Sequence, residues 1–233
     1  TKEILAAKGA ELATVLAGSI TLGCGQFCTS PGVIVLFKGA ETDAFVKNLT
    51  EALRAQKPHA MLTPGMREAF DAGVAHIVAA GAKPLLHEEG NAEAPRPFLA
   101  EVEAADFIAT EQLREEVFGP ASLVVYVNSL AQALDVLKAV GGSLTVTLWG
   151  AESESPESRA LVRGAMNIAG RVLFAGVPTG VAVTAAQQHG GPWPSSTQPM
   201  TTSVGDTALN RFLRPVCLQD APQWLMAREG RPV

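Results

Sequence analysis

The sequence predicts an α/β fold: a three-layer arrangement of a mostly parallel, twisted sheet with helices on both faces. Three observations carry this. Strand-like and helix-like patterns alternate along the chain. Several strand candidates are apolar throughout, as "GVIVLF" (32–37) and "ASLVVYV" (121–127) are, which suits strands covered on both faces. The core must also be small-grained, because 47% of the 233 residues are hydrophobic but only 6% aromatic.

In chain order, residues 2–22 form an Ala/Leu-rich helical pattern with Ile4, Leu5, Leu12, Val15, Leu16 and Ile20 as its stripe. "GCGQFC" interrupts it, and "GVIVLF" follows as a strand. Residues 42–56 form an amphipathic helix pattern capped by Thr42 or Asp43. Residues 63–83 read as a helix with Pro64 near its start and Gly81 near its end. "PLLHE" and "PFLAEV" read as two short strands around a polar loop. "TEQLREEVFGP" (110–120) is a short helical piece stopped by Gly119 and Pro120. Then come a strand (121–127), a helix (129–142), a strand (143–150), a helix (155–170) with Ser155 as cap and Pro156 at its first position, and a strand (171–176). The tail is a Gly/Pro/Ser/Thr-rich loop, a short helix "DTALNRFL" and a strand "RPVCLQ".

The formal net charge is −5 with no basic run, which argues against nucleic acid as a partner. No apolar run approaches the roughly 20 residues of a membrane helix, so no membrane partner is expected. Three widely split cysteines argue against a disulfide framework and for a reduced, cytoplasmic setting. The candidate metal ligands Cys24, Cys28, Cys217, His59, His76, His87 and His189 lack ligand spacing, so no metal site is expected. The chain opens inside a helical pattern with neither Met nor a signal peptide, and is expected to be a piece of a longer protein.

The chemistry concentrates in "CGQFCTSPG" (24–32). Cys24 and Cys28 can both be small buried hydrophobes, the usual fate of free cysteine. Cys28, however, is followed by Thr29, Ser30, Pro31 and Gly32, which leave room for a carbonyl carbon at the sulfur and turn N–H groups for an oxyanion. Cys24 reads as packing. "EEVFGP" (115–120), taken alone, can be an ordinary helix end. His189 in "QHGGPWPSST" can be an acid–base group or a loop residue with a satisfied ring.

"GQFCTSPG" resembles the catalytic-cysteine segment of the aldehyde dehydrogenase superfamily, Gly-Gln-x-Cys followed by small residues. Eighty-eight positions on (116 minus 28), "EEVFGP" resembles that family's Glu-x-Phe-Gly-Pro signature. "GQFCTSPG", "HGGPWPSST" and "RFLRPV" look most like the branch of 2-oxoglutarate semialdehyde (2,5-dioxopentanoate) dehydrogenases. The resemblance implies a catalytic, nucleophile-bearing domain over 1–200 and a C-terminal segment, 201–233, that returns toward the cofactor domain or forms an assembly strand. It implies Cys28 as the nucleophile, passing through a thiohemiacetal and a thioester, with its own N–H as an oxyanion donor. Glu116 would hold the nicotinamide ribose and Phe118 pack beside the ring of NAD or NADP. Phe27, Thr29, His189 and Trp193 would line the substrate side, with Ser195 and Ser196 near the mouth.

The resemblance also places the general-base Glu and most of the cofactor site further upstream than the 27 residues preceding Cys28. No Gly-rich phosphate loop with strand-turn-helix context is present. The expectation is therefore the catalytic half of an NAD(P)-dependent aldehyde dehydrogenase. Its partners would be an aldehyde, the cofactor-binding half of the same protein and, at full length, further copies in a homo-oligomer. The half alone is expected to be inactive. Two alternatives stand beside it: a non-catalytic α/β binding or assembly module, and a free-standing acyl-transfer enzyme using Cys28 and His189 as a dyad, which requires the two within hydrogen-bond reach.

Overall fold

The computed structural model describes residues 1–226. Its main sheet has four strands: β1 (Val33–Phe37), β2 (Lys83–His87), β3 (Phe98–Glu103) and β4 (Ala121–Val127), in the order β1-β4-β3-β2. β1 and β3 both run parallel to β4, while β2 is antiparallel to β3 with a bulge between Pro84 and Leu86. The strands β5 (Ser143–Thr147) and β6 (Ala169–Leu173) pair in parallel as a separate two-stranded sheet.

Period-two alternation divides the main sheet into two cores. Leu99, Val124, Ile34 and Leu36 face α1 (Lys2–Thr21) and α2 (Ala40–Arg54), meeting Leu16, Ile20, Phe45, Leu49 and Leu53. Phe98, Ala100, Leu123, Val125 and Val127 face the other way. They meet Phe70, Val74 and Ile77 of α3 (Pro64–Ala79), Phe107 of α4 (Ala104–Ala109) and Val136 of α5 (Leu130–Val140). The three-layer expectation therefore holds. Near-continuous burial belongs to β4 and β3, the strands with a neighbour on each side, with Tyr126 of β4 and Glu101 of β3 half-buried; β1, at the sheet edge, alternates between half-buried and buried.

Local chemistry sets the helix ends. The hydroxyls of Thr63, Ser129 and Ser155 accept from Met66, Gln132 and Ser158 N–H, and Pro156 opens α6 (Pro156–Ile168). The expected caps of α2 are corrected. The helix starts at Ala40 with Gly39 as N-cap, and Thr42, buried in the first turn, donates instead to the Phe37 carbonyl at 2.5 Å. α4 is new. Residues 110–120 carry one short 3-10 turn, Glu111–Arg114, before an extended approach to β4.

Two further expectations fail. "RPVCLQ" forms no strand: among the described residues no neighbouring strand offers it hydrogen bonds, and its residues are exposed. It follows a 3-10 segment, Asp206–Phe212, and precedes a short helix, α7 (Gln223–Met226); the rest of the expected 201–233 segment lies outside the described residues. The segment Lys2–Gly25 is, by length and composition, long and apolar enough to cross a membrane. Much of that apolarity is alanine and glycine, and Leu5, Ala13, Leu16, Ala17 and Ile20 are buried in the core shared with α2.

Leu49 is fully buried between α2 and the sheet. Leu49→Ala should lower the free energy of unfolding by about 2–5 kcal/mol, read from urea denaturation at constant slope.

Candidate active site

α1 does not end in a simple cap. Gly23, Cys24 and Gly25 take successive left-handed conformations, at φ 55°, 60° and 67°, inside a 3-10 turn. For cysteine this conformation costs on the order of 1 kcal/mol. The side chain offsets that by burial in the core with Met61 and Phe70, which pushes the thiol pKa up and fits the packing role read from sequence. The chain then closes a turn in which the Ser30 N–H bonds the Phe27 carbonyl at 3.0 Å. Cys28 sits in that turn with its side chain exposed, and among the described residues its N–H donates to no carbonyl or side chain. Gln26 braces the approach, accepting from Leu62 N–H at 3.0 Å and donating to the Gly23 carbonyl at 3.0 Å.

The second motif arrives alongside because β1 and β4 are hydrogen-bonded parallel neighbours, with Val33 opposite Leu123. Both motifs precede their strands, so both lie at the same rim of the sheet. The backbones touch there: a Cβ on Gly25 would come within 2.5 Å of Pro120 N, and closer still to the Gly119 carbonyl. Ser122 Oγ adds a bond to the Pro31 carbonyl at 2.5 Å. On this rim Glu115 lies 3.6 Å from His76 Nε2. Glu116 is exposed and in no hydrogen bond or ion pair among the described residues. Phe118 is 37% exposed. An uncommitted carboxylate can accept from a ribose diol, and a half-exposed aromatic ring can pack on a planar one.

The third component is the His-Gly-Gly turn. The Gly190 carbonyl packs on Gly170 at the start of β6, and Gly191 packs on Ser143 O at the start of β5, so closely that a side chain on Gly170 or Gly191 would collide. The His189 N–H donates to Thr202 Oγ1 at 2.8 Å. The imidazole is thereby held with Nε2 3.2 Å from Cys28 Sγ, across 161 positions of sequence. His189 is 7% exposed, and its buried Nδ1 has no partner among the described residues. Burial first, and the charge of Arg171 second, hold its pKa below the usual histidine value. A neutral imidazole with its proton on Nδ1 presents a lone pair to the thiol.

The structure thus brings Cys28 and His189 within hydrogen-bond distance. Phe27 is 39% exposed, its ring lying under Gly23. Thr29 is buried, and its hydroxyl and that of Ser30 have no partner among the described residues. Trp193 stands 72% exposed, with its carbonyl packed on Gly142. Sequence reasoning missed Arg171, which looked only like the first residue of a strand. The one signal for the His189 turn was its pair of glycines, which permit the close backbone approach.

No protein-family profile matches the chain. Two curated proteins do. Alpha-ketoglutaric semialdehyde dehydrogenase 2 of Azospirillum brasilense is 41% identical over 228 residues, 95% of this chain and 43% of that protein. Alpha-ketoglutaric semialdehyde dehydrogenase of Acinetobacter baylyi is 37% identical over 246 residues, 99% of this chain and 45% of that protein. This chain belongs to the aldehyde dehydrogenase superfamily. It spans less than half the length of these two relatives. Solved structures show the same fold for this aldehyde dehydrogenase portion. An NAD-dependent aldehyde dehydrogenase from Sinorhizobium meliloti superposes with a TM-score of 0.70 at 21% identity, covering 88% of this chain and 40% of that one. An indole-3-acetaldehyde dehydrogenase in complex with NAD+ gives 0.70 at 17%, covering 88% and 41%.

Gly25→Ala should cost about 1–3 kcal/mol in thermal or urea unfolding, since it adds both a clash and an unfavourable φ. The depressed His189 pKa has a definite sign. Above about pH 6.5 the residue is neutral in both states; below it the unfolded chain takes up a proton that the folded chain resists. Stability therefore falls as pH drops below that value, and His189→Gln should lose less than wild type in melting temperatures compared at about pH 7.5 and pH 5.5.

Proposed function

We propose that this chain carries the nucleophile of an NAD-dependent aldehyde dehydrogenase that oxidises 2-oxoglutarate semialdehyde to the dicarboxylate. The observation that carries the reading is the exposed Cys28 sulfur 3.2 Å from His189 Nε2. Two relatives sharing 41% and 37% identity, both named for that aldehyde, support the substrate, and the NAD-dependent fold neighbours support the cofactor.

In this reading Cys28 Sγ forms a bond to the aldehyde carbon and the carbonyl π pair moves to oxygen. The thiol proton passes to His189 Nε2. The Cys28 N–H, uncommitted in the fold, donates to the new oxyanion. Bound NAD supplies the hydride acceptor. Glu116 would hold its ribose hydroxyls, two acceptor oxygens to two donors, and Phe118 would flank the ring. Loss of hydride from the thiohemiacetal leaves a thioester on Cys28, and water releases the carboxylate and frees the sulfur. The pyrophosphate end of NAD and the hydrolytic base are assigned to the part of such a protein that this chain does not span.

The Cys28–His189 contact also favours the second reading, acyl transfer without a cofactor, because it meets that reading's geometric condition. The two share the thioester and differ in whether hydride leaves.

One acyl donor and one oxidation assay separate them. p-Nitrophenyl acetate should place a single acetyl on Cys28 by peptide mass spectrometry, with p-nitrophenolate departing. Cys28→Ser should take up none at this site, and His189→Ala should react at least about tenfold more slowly. With aldehyde and NAD, the chain alone should form no NADH. A protein of the relatives' length containing it should do so, and should lose that activity on Cys28→Ser. Acetylation confined to Cys217 would sink the nucleophile assignment. NADH from the chain alone would overturn the division of labour.

A further inference from the structure

His189 reaches Cys28 by its ring but is held by its backbone. Nε2 lies 3.2 Å from Cys28 Sγ, and Nδ1 has no hydrogen-bond partner among the described residues. No other polar group among them fixes the imidazole, so where Nε2 points follows from where the His189 main chain sits. That main chain is gripped on both sides by one later turn. Its N–H donates to Thr202 Oγ1 at 2.8 Å. Its carbonyl accepts from the Ser203 N–H and from Ser203 Oγ, each at 2.9 Å. The Thr202 hydroxyl is itself fixed in direction, donating to the Val204 carbonyl at 2.8 Å and accepting from the Val204 N–H at 3.3 Å. Gln188, the neighbour of His189, adds a bond from Nε2 to the Thr201 carbonyl at 3.2 Å. Thr202 is 2% exposed, whereas Ser203 is exposed. The bonds to Val204 close the turn by themselves; the bond to His189 serves no turn and ties two segments together across 13 positions.

We propose that Thr202 is a positioning residue for the Cys28–His189 pair: with Ser203 beside it, it clamps both backbone polar groups of His189 and so fixes Nε2 where it can take the thiol proton. The inference rests on the reading of Cys28 as nucleophile. During attack on an ester the S–C bond forms as the S–H bond breaks, the proton passes to the Nε2 lone pair, and the alkoxide or phenolate leaves. Such a transfer depends steeply on placement, and a shift of about 1 Å can cost on the order of 10²-fold in rate. A valine at 202 would fill the same space yet leave the buried His189 N–H without its acceptor, and the strand of chain carrying the ring would move to find another. Thr202 makes no bond to Cys28 among the described residues and acts through His189.

A double-mutant cycle tests this. Thr202→Val keeps the shape and removes the hydroxyl, while Thr202→Ser keeps the hydroxyl. Acetylation of Cys28 by p-nitrophenyl acetate, followed by peptide mass spectrometry, should slow at least about fivefold in Thr202→Val and stay within about twofold of wild type in Thr202→Ser. In a His189→Ala background, Thr202→Val should change the rate by less than about twofold, because its route to the sulfur is gone. A merely structural role would slow both backgrounds alike. An unchanged rate in a folded Thr202→Val chain overturns the inference, as does equal slowing in both backgrounds, or a serine variant as slow as the valine one. If Thr202→Val fails to fold, Ser203→Ala cuts the clamp at its exposed side. It should slow acetylation by about two- to threefold with His189 present and not without it, and no slowing overturns the inference. Failure of the underlying reading looks different: Cys28 would then stay unmodified in the wild-type chain. Cys28 acetylated at a rate indifferent to the clamp defeats this inference alone.

Discussion

The parallel pairing of β1 with β4 is the constraint on which the site depends. Two segments 88 positions apart meet because the strands they introduce run the same way and share a register, Val33 opposite Leu123. A parallel pair requires a long crossover, and here α2, α3, β2, β3 and α4 all intervene. The contact of Gly25 with Gly119 and Pro120 tightens that register to backbone distance. A one-residue slip of β1 would exchange its two core faces and carry Cys28 off its rim.

The β5–β6 pair does for the histidine what the main sheet does for the cysteine. Gly170 and Gly191 let the 189–191 turn press against the starts of both strands, where any side chain would collide. Glycine in both places is a requirement of close approach. The result is a cysteine from the start of one sheet facing a histidine held against another.

Much of this was legible in the sequence, for identifiable reasons. β4 was recognisable because burial on both faces demands seven consecutive apolar or small residues. α6 was recognisable because Ser155 and Pro156 announce its first turn. α4 was not, since six residues give too short a window for a 3.6-residue period. "RPVCLQ" misled because β propensity describes a residue's fit to a pleated surface, and no strand beside it provides one. The split into two sheets was hidden because local pattern does not say which strands pair. Cys28 stood out through its motif. Its 3.2 Å approach to His189 did not, being a tertiary contact over 161 positions, and Arg171 carried no signal beyond a cation at a strand start.

The rim on which the site lies has an electrostatic consequence. α2 and α5 begin just after β1 and β4 end, so their N-termini, the positive poles of their macrodipoles, cluster at the opposite rim from Cys28. The helix leading toward the Cys28 turn, α1, arrives by its carbonyl end, the negative pole. Doubly wound folds usually let helix N-termini hold anions, and the helices that follow β1 and β4 do not aim theirs at the Cys28 rim; the start of α3 is the one that comes near, since Leu62 N–H, just before the cap Thr63, donates to Gln26 at 3.0 Å. In the proposed chemistry, negative charge born at the sulfur or the carbonyl oxygen falls to individual N–H groups and side chains rather than to the poles of α2 and α5, which would make it sensitive to single substitutions.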